Sequence, residues 1–103
     1  MHSERNFEQI DVDKAKEMIE HGPVTIVDVR REDDYLKAHI KGAVLVTDKN
    51  IDEFLSQTDR NKPLICYCYH GFSSQSACAF FQQSGFSQVL NVKGGFEAWK
   101  LNQ

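Results

Sequence analysis

The chain has 103 residues, of which 41% are apolar and 26% are charged, and its formal net charge is −3. This length and composition suffice for a hydrophobic core without metal or disulfide staples, so we expect one domain over residues 1–103. A net negative charge gives no general attraction to nucleic acid or to anionic membranes, so any anion site has to be local. The three cysteines are an odd number, which excludes a complete set of internal disulfides.

The sequence carries no recognisable targeting or membrane segment. Its start, "MHSERNFEQID", is polar and lacks the apolar region of a signal peptide, and no run is long and apolar enough for a transmembrane helix. We therefore expect a cytoplasmic protein with neither a membrane nor a nucleic-acid partner. Disulfides are rare in that compartment, so free thiols are the expected state of the cysteines.

Short β-branched runs alternate with helical patterns along the whole chain. In the first half, the pattern predicts an edge strand at 7–10, a helix ending at Gly22, a strand at 24–29, a short helix at 32–38, a short strand at 43–46 and a helix around 51–55. In the second half, it predicts a strand at 62–68, a helix at 73–84, a strand at 89–92 and a last helix around 96–99. Asp11 or Asp13 is placed to cap the first helix.

Strands that alternate with helices are typical of an α/β domain with a mostly parallel sheet. In such sheets the reactive groups lie at the carboxyl ends of the strands, where loops lead into helices. Two segments meet this condition, Asp28-Val29-Arg30 and the loop from Cys68 to Ser74. We interpret Asp28 and Arg30 as a structural ion pair, so the loop is the stronger candidate for chemistry.

The residues of the loop and its surroundings could in principle form three other kinds of site: a zinc site, a redox cysteine pair or a phosphatase loop. Cys66, Cys68 and His70 are of the types that bind zinc, but the sequence has no second pair of ligands at a usual spacing. A redox pair needs two residues between its cysteines, whereas Cys66 and Cys68 are separated by one. A phosphatase loop places an arginine six residues after its cysteine to grip the phosphate, and here that residue is Ser74. No lysine or arginine occurs from Cys66 to Gln88.

The remaining interpretation is a cysteine nucleophile poised over the start of a helix. Cys68 ends a strand, and Gly71 gives the loop the backbone freedom to turn its amides toward the sulfur. Inward-pointing amides and the positive end of a helix dipole lower the pKa of a thiol and favour the reactive thiolate. Ser73 and Ser74 are placed to cap the helix and to donate hydroxyl hydrogen bonds to a bound sulfur or oxyanion. We interpret Cys66 and Cys78 as small buried hydrophobic residues, and the role of His70 stays open.

At these residues the sequence resembles the single-domain rhodaneses. The resemblance covers almost the whole chain and rests on four segments in the right order: Asp28-Val29-Arg30, residues 35–43, the loop Cys68-Tyr69-His70-Gly71-Phe72-Ser73-Ser74, and residues 85–99 with Gly94-Gly95-Phe96-Glu97-Ala98-Trp99. It implies a three-layer sandwich in which helices flank a five-stranded, mainly parallel sheet. It also implies structural roles for His39, beside the loop, and for Trp99, on the last helix.

The resemblance further implies a sulfurtransferase that needs neither a metal nor an organic cofactor. In this family the cysteine thiolate, here Cys68, attacks the outer sulfur of thiosulfate, releases sulfite and keeps the sulfur as a persulfide. The acceptor is cyanide in the assay, and a cellular thiol or a dithiol protein such as thioredoxin in life. The substrate-binding loop carried over from the family comprises Tyr69, His70, Gly71, Phe72, Ser73 and Ser74.

Two features leave an alternative open. Many rhodaneses have a lysine or arginine in this loop to bind the anionic donor, and this chain has none there. Phe72 instead offers an apolar side chain that suits a docking protein. The alternative is a persulfide carrier module that is loaded by a partner protein rather than by thiosulfate.

Overall fold

The computed structural model describes residues 7–103. The first six residues, which belong to the polar start of the chain, lie outside the described part. In chain order the elements are β1 (Glu8–Ile10), α1 (Val12–His21), β2 (Thr25–Asp28), α2 (Glu32–Lys37), β3 (Val44–Leu45), α3 (Ile51–Gln57), β4 (Leu64–Tyr67), α4 (Ser74–Gln83), β5 (Val89–Val92) and α5 (Gly95–Leu101).

The five strands form one sheet in the order β1-β5-β4-β2-β3. All four pairings between neighbouring strands in the described residues are parallel. The predicted α/β architecture is therefore confirmed, and β1 is an edge strand as its alternating pattern indicated. The central strands β2, β4 and β5 end on the same edge of the sheet, which brings the loop after β4 next to the segments after β2 and β5.

Helices cover both faces of the sheet, because alternate residues of each strand point to opposite sides. One core lies between the sheet and helices α1 and α5, and it includes Ile26, Ile65, Leu90, Val92 and Phe96. The other core lies between the sheet and helices α3 and α4, and it includes Val27, Leu64, Val89, Phe54 and Phe81. The central strands are buried on both faces, as their near-continuous apolar sequences require.

Most element boundaries lie within two residues of their predicted positions. Asp11, not Asp13, caps α1, where its carboxylate accepts a hydrogen bond of 2.9 Å from the backbone N–H of Lys14. Trp99 packs against the core beneath α5, in line with the structural role expected of it. Within the described residues, no helix has the length and apolar character needed to cross a membrane.

Candidate active site

Cys68 lies directly after β4 and before α4, at the carboxyl edge of the sheet. Its side chain is almost completely buried, with 2% of its surface exposed. The sulfur accepts hydrogen bonds from the backbone N–H groups of Gly71 and Ser74, both at 3.2 Å, and lies 3.1 Å from the hydroxyl of Ser74. The first amide of α4 therefore points at the sulfur, where the positive end of the helix dipole favours a negative charge.

This environment lowers the pKa of Cys68. Burial acts in the opposite direction, because it disfavours the charged thiolate. The thiolate form accepts hydrogen bonds from the hydroxyl groups of Ser73 and Ser74 and from the amides of Ser74 and Gly71. These outweigh burial, so the pKa lies below its ordinary value. A thiol held in this way is a better nucleophile near neutral pH than a free cysteine.

The segment after β5 holds the loop that follows Cys68 through backbone hydrogen bonds. The N–H of Phe96 donates to the carbonyl of Cys68 at 2.8 Å, and the N–H of Glu97 donates to the carbonyl of Tyr69 at 3.1 Å. These loop carbonyls point toward the start of α5 and away from the sulfur. These two hydrogen bonds with the start of α5 orient the loop so that its amides, and not its carbonyls, face the Cys68 sulfur.

Two glycines make this arrangement possible. Gly71 has a φ of 91°, and a Cβ there would lie 2.9 Å from the backbone nitrogen of Gly94. Gly95 has a φ of 60°, and a Cβ there would lie 2.5 Å from the carbonyl oxygen of Tyr69 and 2.6 Å from that of Cys68. Positive φ disfavours other residues, and the backbones at these points are too close for any side chain.

Neither Ser73 nor Ser74 caps α4 with its hydroxyl group. Ser73 stands at the N-cap position of α4 but makes no side-chain cap hydrogen bond. Its φ of −68° and ψ of −25° are already helical, whereas a capping serine needs an extended backbone to reach the next amides. The prediction of a hydroxyl cap is therefore wrong for this helix. Ser74, which is fully buried, instead directs its hydroxyl toward Cys68 and Asn91.

Asn91 belongs to the candidate site, although the sequence did not single it out. It lies in the middle of β5 and has no exposed surface. Its Oδ1 accepts a hydrogen bond of 2.6 Å from the Ser74 hydroxyl, and its Nδ2 donates to the carbonyl of Gly71 at 3.1 Å. Nδ2 also donates to Oε1 of Gln9 at 2.8 Å. A polar residue inside an apolar strand is a signal in itself, since buried amides need partners.

The other residues of the predicted binding loop face outward to different degrees. The Tyr69 hydroxyl donates to Asp34 and accepts from the backbone N–H of Arg31 at 3.2 Å, which ties the loop to α2. The side chain of His70 is exposed. Phe72 is 78% exposed, a large apolar surface at the tip of the loop.

Asp28 and Arg30 form the expected ion pair at the neighbouring strand end. The guanidinium Nη2 lies 2.8 Å from Oδ2 of Asp28, and both side chains are buried. The same guanidinium donates to the carbonyl of Ala38 and lies 4.2 Å above the ring of Phe96. Its hydrogen bonds and its contact with the Phe96 ring thus connect β2, α2 and α5. His39 is exposed, stacks on the ring of Tyr35 and hydrogen-bonds the carbonyl of that residue.

The two remaining cysteines are buried free thiols, as interpreted from the sequence. A hydrogen bond with Cys78, together with burial, raises the pKa of Cys66 well above its ordinary value. Cys66 is therefore held as a neutral thiol, in contrast to Cys68. Among residues 7–103, no three histidine, cysteine or acidic side chains are grouped so that they could hold a metal ion.

An open groove of about 540 Å³ runs beside the loop. Ser73 and Arg30 line it at the loop end, and Val46, Ile51 and Phe80 contribute apolar walls. The groove gives a molecule larger than an inorganic anion room next to the loop.

Comparison with known proteins agrees with this geometry. The family model of the Rhodanese-like domain matches residues 11–102. The chain belongs to this family. Among curated relatives, the thiosulfate sulfurtransferase GlpE of Pseudomonas paraeruginosa is 39% identical over 94 residues, which span 91% of this chain and 84% of the relative. GlpE of Shewanella oneidensis is 37% identical over 94 residues, which span 91% of this chain and 93% of the relative.

Solved structures of rhodanese-like domains share the fold. The crystal structure of a rhodanese-like domain protein from Staphylococcus aureus superposes with a TM-score of 0.78 at 29% identity, covering 90% of this chain and 91% of that one. The solution structure of the rhodanese-like domain of an Anabaena protein gives a TM-score of 0.81 at 28% identity, covering 91% and 74%. The predicted family and the predicted layered architecture of this rhodanese-like domain are thereby confirmed.

Proposed function

We propose that this rhodanese-like domain is a thiosulfate sulfurtransferase with Cys68 as its nucleophile and sulfur carrier. The observation that carries the proposal is the placement of the Cys68 sulfur, which lies 3.2 Å from the backbone nitrogens of Gly71 in the loop and of Ser74 at the start of α4. This surrounding stabilises a thiolate, and the same donors suit a persulfide anion. The relatives named thiosulfate sulfurtransferase support the choice of donor.

The first half-reaction is a displacement at sulfur. The Cys68 thiolate attacks the outer sulfur of thiosulfate, and a new S–S bond forms to Cys68. The S–S bond of thiosulfate breaks, and its electron pair leaves with sulfite. The products are sulfite and the Cys68 persulfide anion, so the step needs neither an oxidant nor a proton.

The second half-reaction returns the enzyme to its starting state. A nucleophilic acceptor, cyanide in an assay or a thiolate in a cell, attacks the outer sulfur of the persulfide. The S–S bond to Cys68 breaks and its electron pair returns to Cys68 as the thiolate. With cyanide the product is thiocyanate, and with a thiol it is a new persulfide. This double displacement predicts ping-pong kinetics.

Intact-protein mass spectrometry before and after incubation with thiosulfate tests the proposal. The wild-type protein should gain one sulfur atom, which cyanide should remove. Cys68→Ser should gain none, whereas the matched control Cys78→Ser, which changes a buried thiol outside the loop, should gain one. A folded, reduced wild-type protein that gains no sulfur would refute the use of thiosulfate.

A second candidate function is a persulfide carrier that a partner protein loads. Two observations favour it: the sequence from Cys66 to Gln88 has no cationic side chain for an anionic donor, and Phe72 at the loop tip is 78% exposed. The carrier should remain unloaded with thiosulfate and gain a sulfur atom from a persulfidated protein donor. The same mass measurement, repeated with a persulfidated cysteine desulfurase as the donor, separates the two functions.

A further inference from the structure

Asn91 and Ser74 form a hydrogen-bonded pair behind the nucleophile. Oγ of Ser74 lies 2.6 Å from Oδ1 of Asn91 on one side and 3.1 Å from the Cys68 sulfur on the other. All three side chains are buried, so water does not compete for these hydrogen bonds. The position of the single hydroxyl proton of Ser74 therefore matters for the charge on the sulfur.

The carbonyl of Gly71 fixes the orientation of the Asn91 amide. A backbone carbonyl only accepts hydrogen bonds, and it lies 3.1 Å from Nδ2 of Asn91. The amide nitrogen must face this carbonyl, so Oδ1 must face Ser74. Oδ1 is an acceptor without a proton, and the 2.6 Å contact therefore requires Ser74 to be the donor.

This orientation of the Ser74 hydroxyl affects the thiol and thiolate forms of Cys68 differently. When Ser74 gives its proton to Asn91, it presents only lone pairs to the sulfur. This suits the neutral thiol, whose S–H can donate to Ser74, but it opposes the thiolate. The hydroxyl stabilises the thiolate only after it has turned from Asn91 to the sulfur.

We propose that Asn91 is a positioning residue that holds the Ser74 hydroxyl away from Cys68 and thereby opposes formation of the thiolate. When the thiolate forms, the hydroxyl turns to the sulfur and gives up its bond to Oδ1. Oδ1 then keeps its other hydrogen bond, which it accepts from the Cys78 sulfur at 3.8 Å. Asn91 thus raises the free energy needed to deprotonate Cys68. Its Nδ2 meanwhile holds the carbonyl of Gly71 in place.

The inference rests on the proposed function only in taking Cys68 as the reacting thiol. Its test uses no sulfur donor, so failure of the sulfur-transfer proposal and failure of this one are distinguishable. The pKa of Cys68 is measured from the pH dependence of alkylation by iodoacetamide, with Cys68→Ser as the blank for other sites. Circular dichroism checks that each variant is folded.

Two substitutions at Asn91 should move the pKa in opposite directions. Asn91→Leu removes the acceptor, frees the Ser74 hydroxyl for the sulfur and should lower the pKa by about one unit, a tenfold change in the thiolate–thiol ratio. Asn91→Asp keeps the size of the side chain, offers a stronger acceptor and adds a negative charge, and both changes should raise the pKa. Both variants lose the hydrogen bond to Gly71, so the proposal is tested by the part of each shift that depends on the Ser74 hydroxyl.

A double-mutant cycle with Ser74→Ala completes the test. Asn91→Leu should have little effect on the pKa of Cys68 when the Ser74 hydroxyl is absent. Gln9→Leu, which removes only the other partner of Nδ2, is the matched control and should leave the pKa unchanged. A pKa that rises in Asn91→Leu, or a shift of equal size in the Ser74→Ala background, would overturn the proposal. If Asn91→Leu does not fold, the cycle is run with Asn91→Asp. Its charge raises the pKa in either background, and a rise that is no larger with the Ser74 hydroxyl than without it refutes the proposal.

Discussion

The backbone N–H of Phe96 donates to the carbonyl of Cys68 at 2.8 Å, so the start of α5 holds the nucleophile loop from the side opposite the sulfur. This contact joins two segments that are far apart in the sequence and adjacent at the carboxyl edge of the sheet. It orients the peptide after Cys68 so that the loop carbonyl faces α5 and the amides face the sulfur. We therefore expect the reactivity of Cys68 to depend on the start of α5 as well as on the loop.

Gly95→Ala should disrupt this contact. Its Cβ would lie 2.6 Å from the carbonyl oxygen of Cys68, so the loop or α5 has to move. We expect a loss of at least about 2 kcal/mol in the free energy of unfolding. Persulfide formation should slow by about a hundredfold, since a shift of the order of 1 Å suffices for that.

Gly85→Ala is the matched control for Gly95→Ala. Gly85 also has a positive φ, of 101°, but a Cβ there would meet no atom within 4 Å. Both variants share the backbone strain, and only Gly95→Ala adds the clash. Urea unfolding and the rate of sulfur uptake, measured on both, isolate the effect of the clash. Equal uptake rates would show that the contact between α5 and the loop is not needed.

The three cysteines should differ in reactivity. The pKa of Cys68 is lowered by hydroxyl and amide hydrogen bonds, whereas that of Cys66 is raised by its contact with Cys78 and by burial. In the folded protein we expect iodoacetamide to modify Cys68 first, and all three thiols only after denaturation. Peptide mapping by mass spectrometry checks the order. Modification of Cys66 or Cys78 at the same rate as Cys68 would contradict it.

The rate of that modification should depend on pH in a defined way. Only the thiolate reacts, so the rate rises with pH through the pKa of Cys68 and then levels off. Because the pKa of Cys68 is lowered, the midpoint should lie below that of the same thiol in the denatured protein. A midpoint at or above that of a denatured control would mean that burial outweighs the hydrogen bonds.

The sequence predicted the surroundings of Cys68 well because they are local. Cys68, the glycine and the amides of the loop are neighbours in the chain, and the strand before them and the helix after them have clear patterns. Asn91 and Gly95 reach the loop only because β5 lies beside β4, an adjacency that no local pattern encodes. The predicted hydroxyl cap at Ser73 failed because the backbone of Ser73 is already helical.

Arg30→Leu should destabilise the protein strongly. It would leave the Asp28 carboxylate, which has no exposed surface, without its cationic partner. Removing one partner of a buried pair costs about 3–5 kcal/mol. Arg31→Leu is the matched control, because Arg31 pairs with Asp33 at the surface, where an ion pair contributes about 0–1 kcal/mol. Chemical denaturation of both variants measures the difference, and similar losses would contradict the structural role of the buried pair.

Phe72→Ala tests whether the loop tip selects the acceptor. Phe72 is 78% exposed at the tip of the loop, and burying its ring against a partner would contribute about 1.5–3 kcal/mol. We expect this variant to slow transfer to reduced thioredoxin by at least about tenfold more than it slows transfer to cyanide. Leu36→Ala, which removes a 69% exposed side chain from α2, is the control and should leave the ratio of the two rates unchanged. If both rates fall equally in Phe72→Ala, the ring supports the loop itself rather than the docking of a protein acceptor.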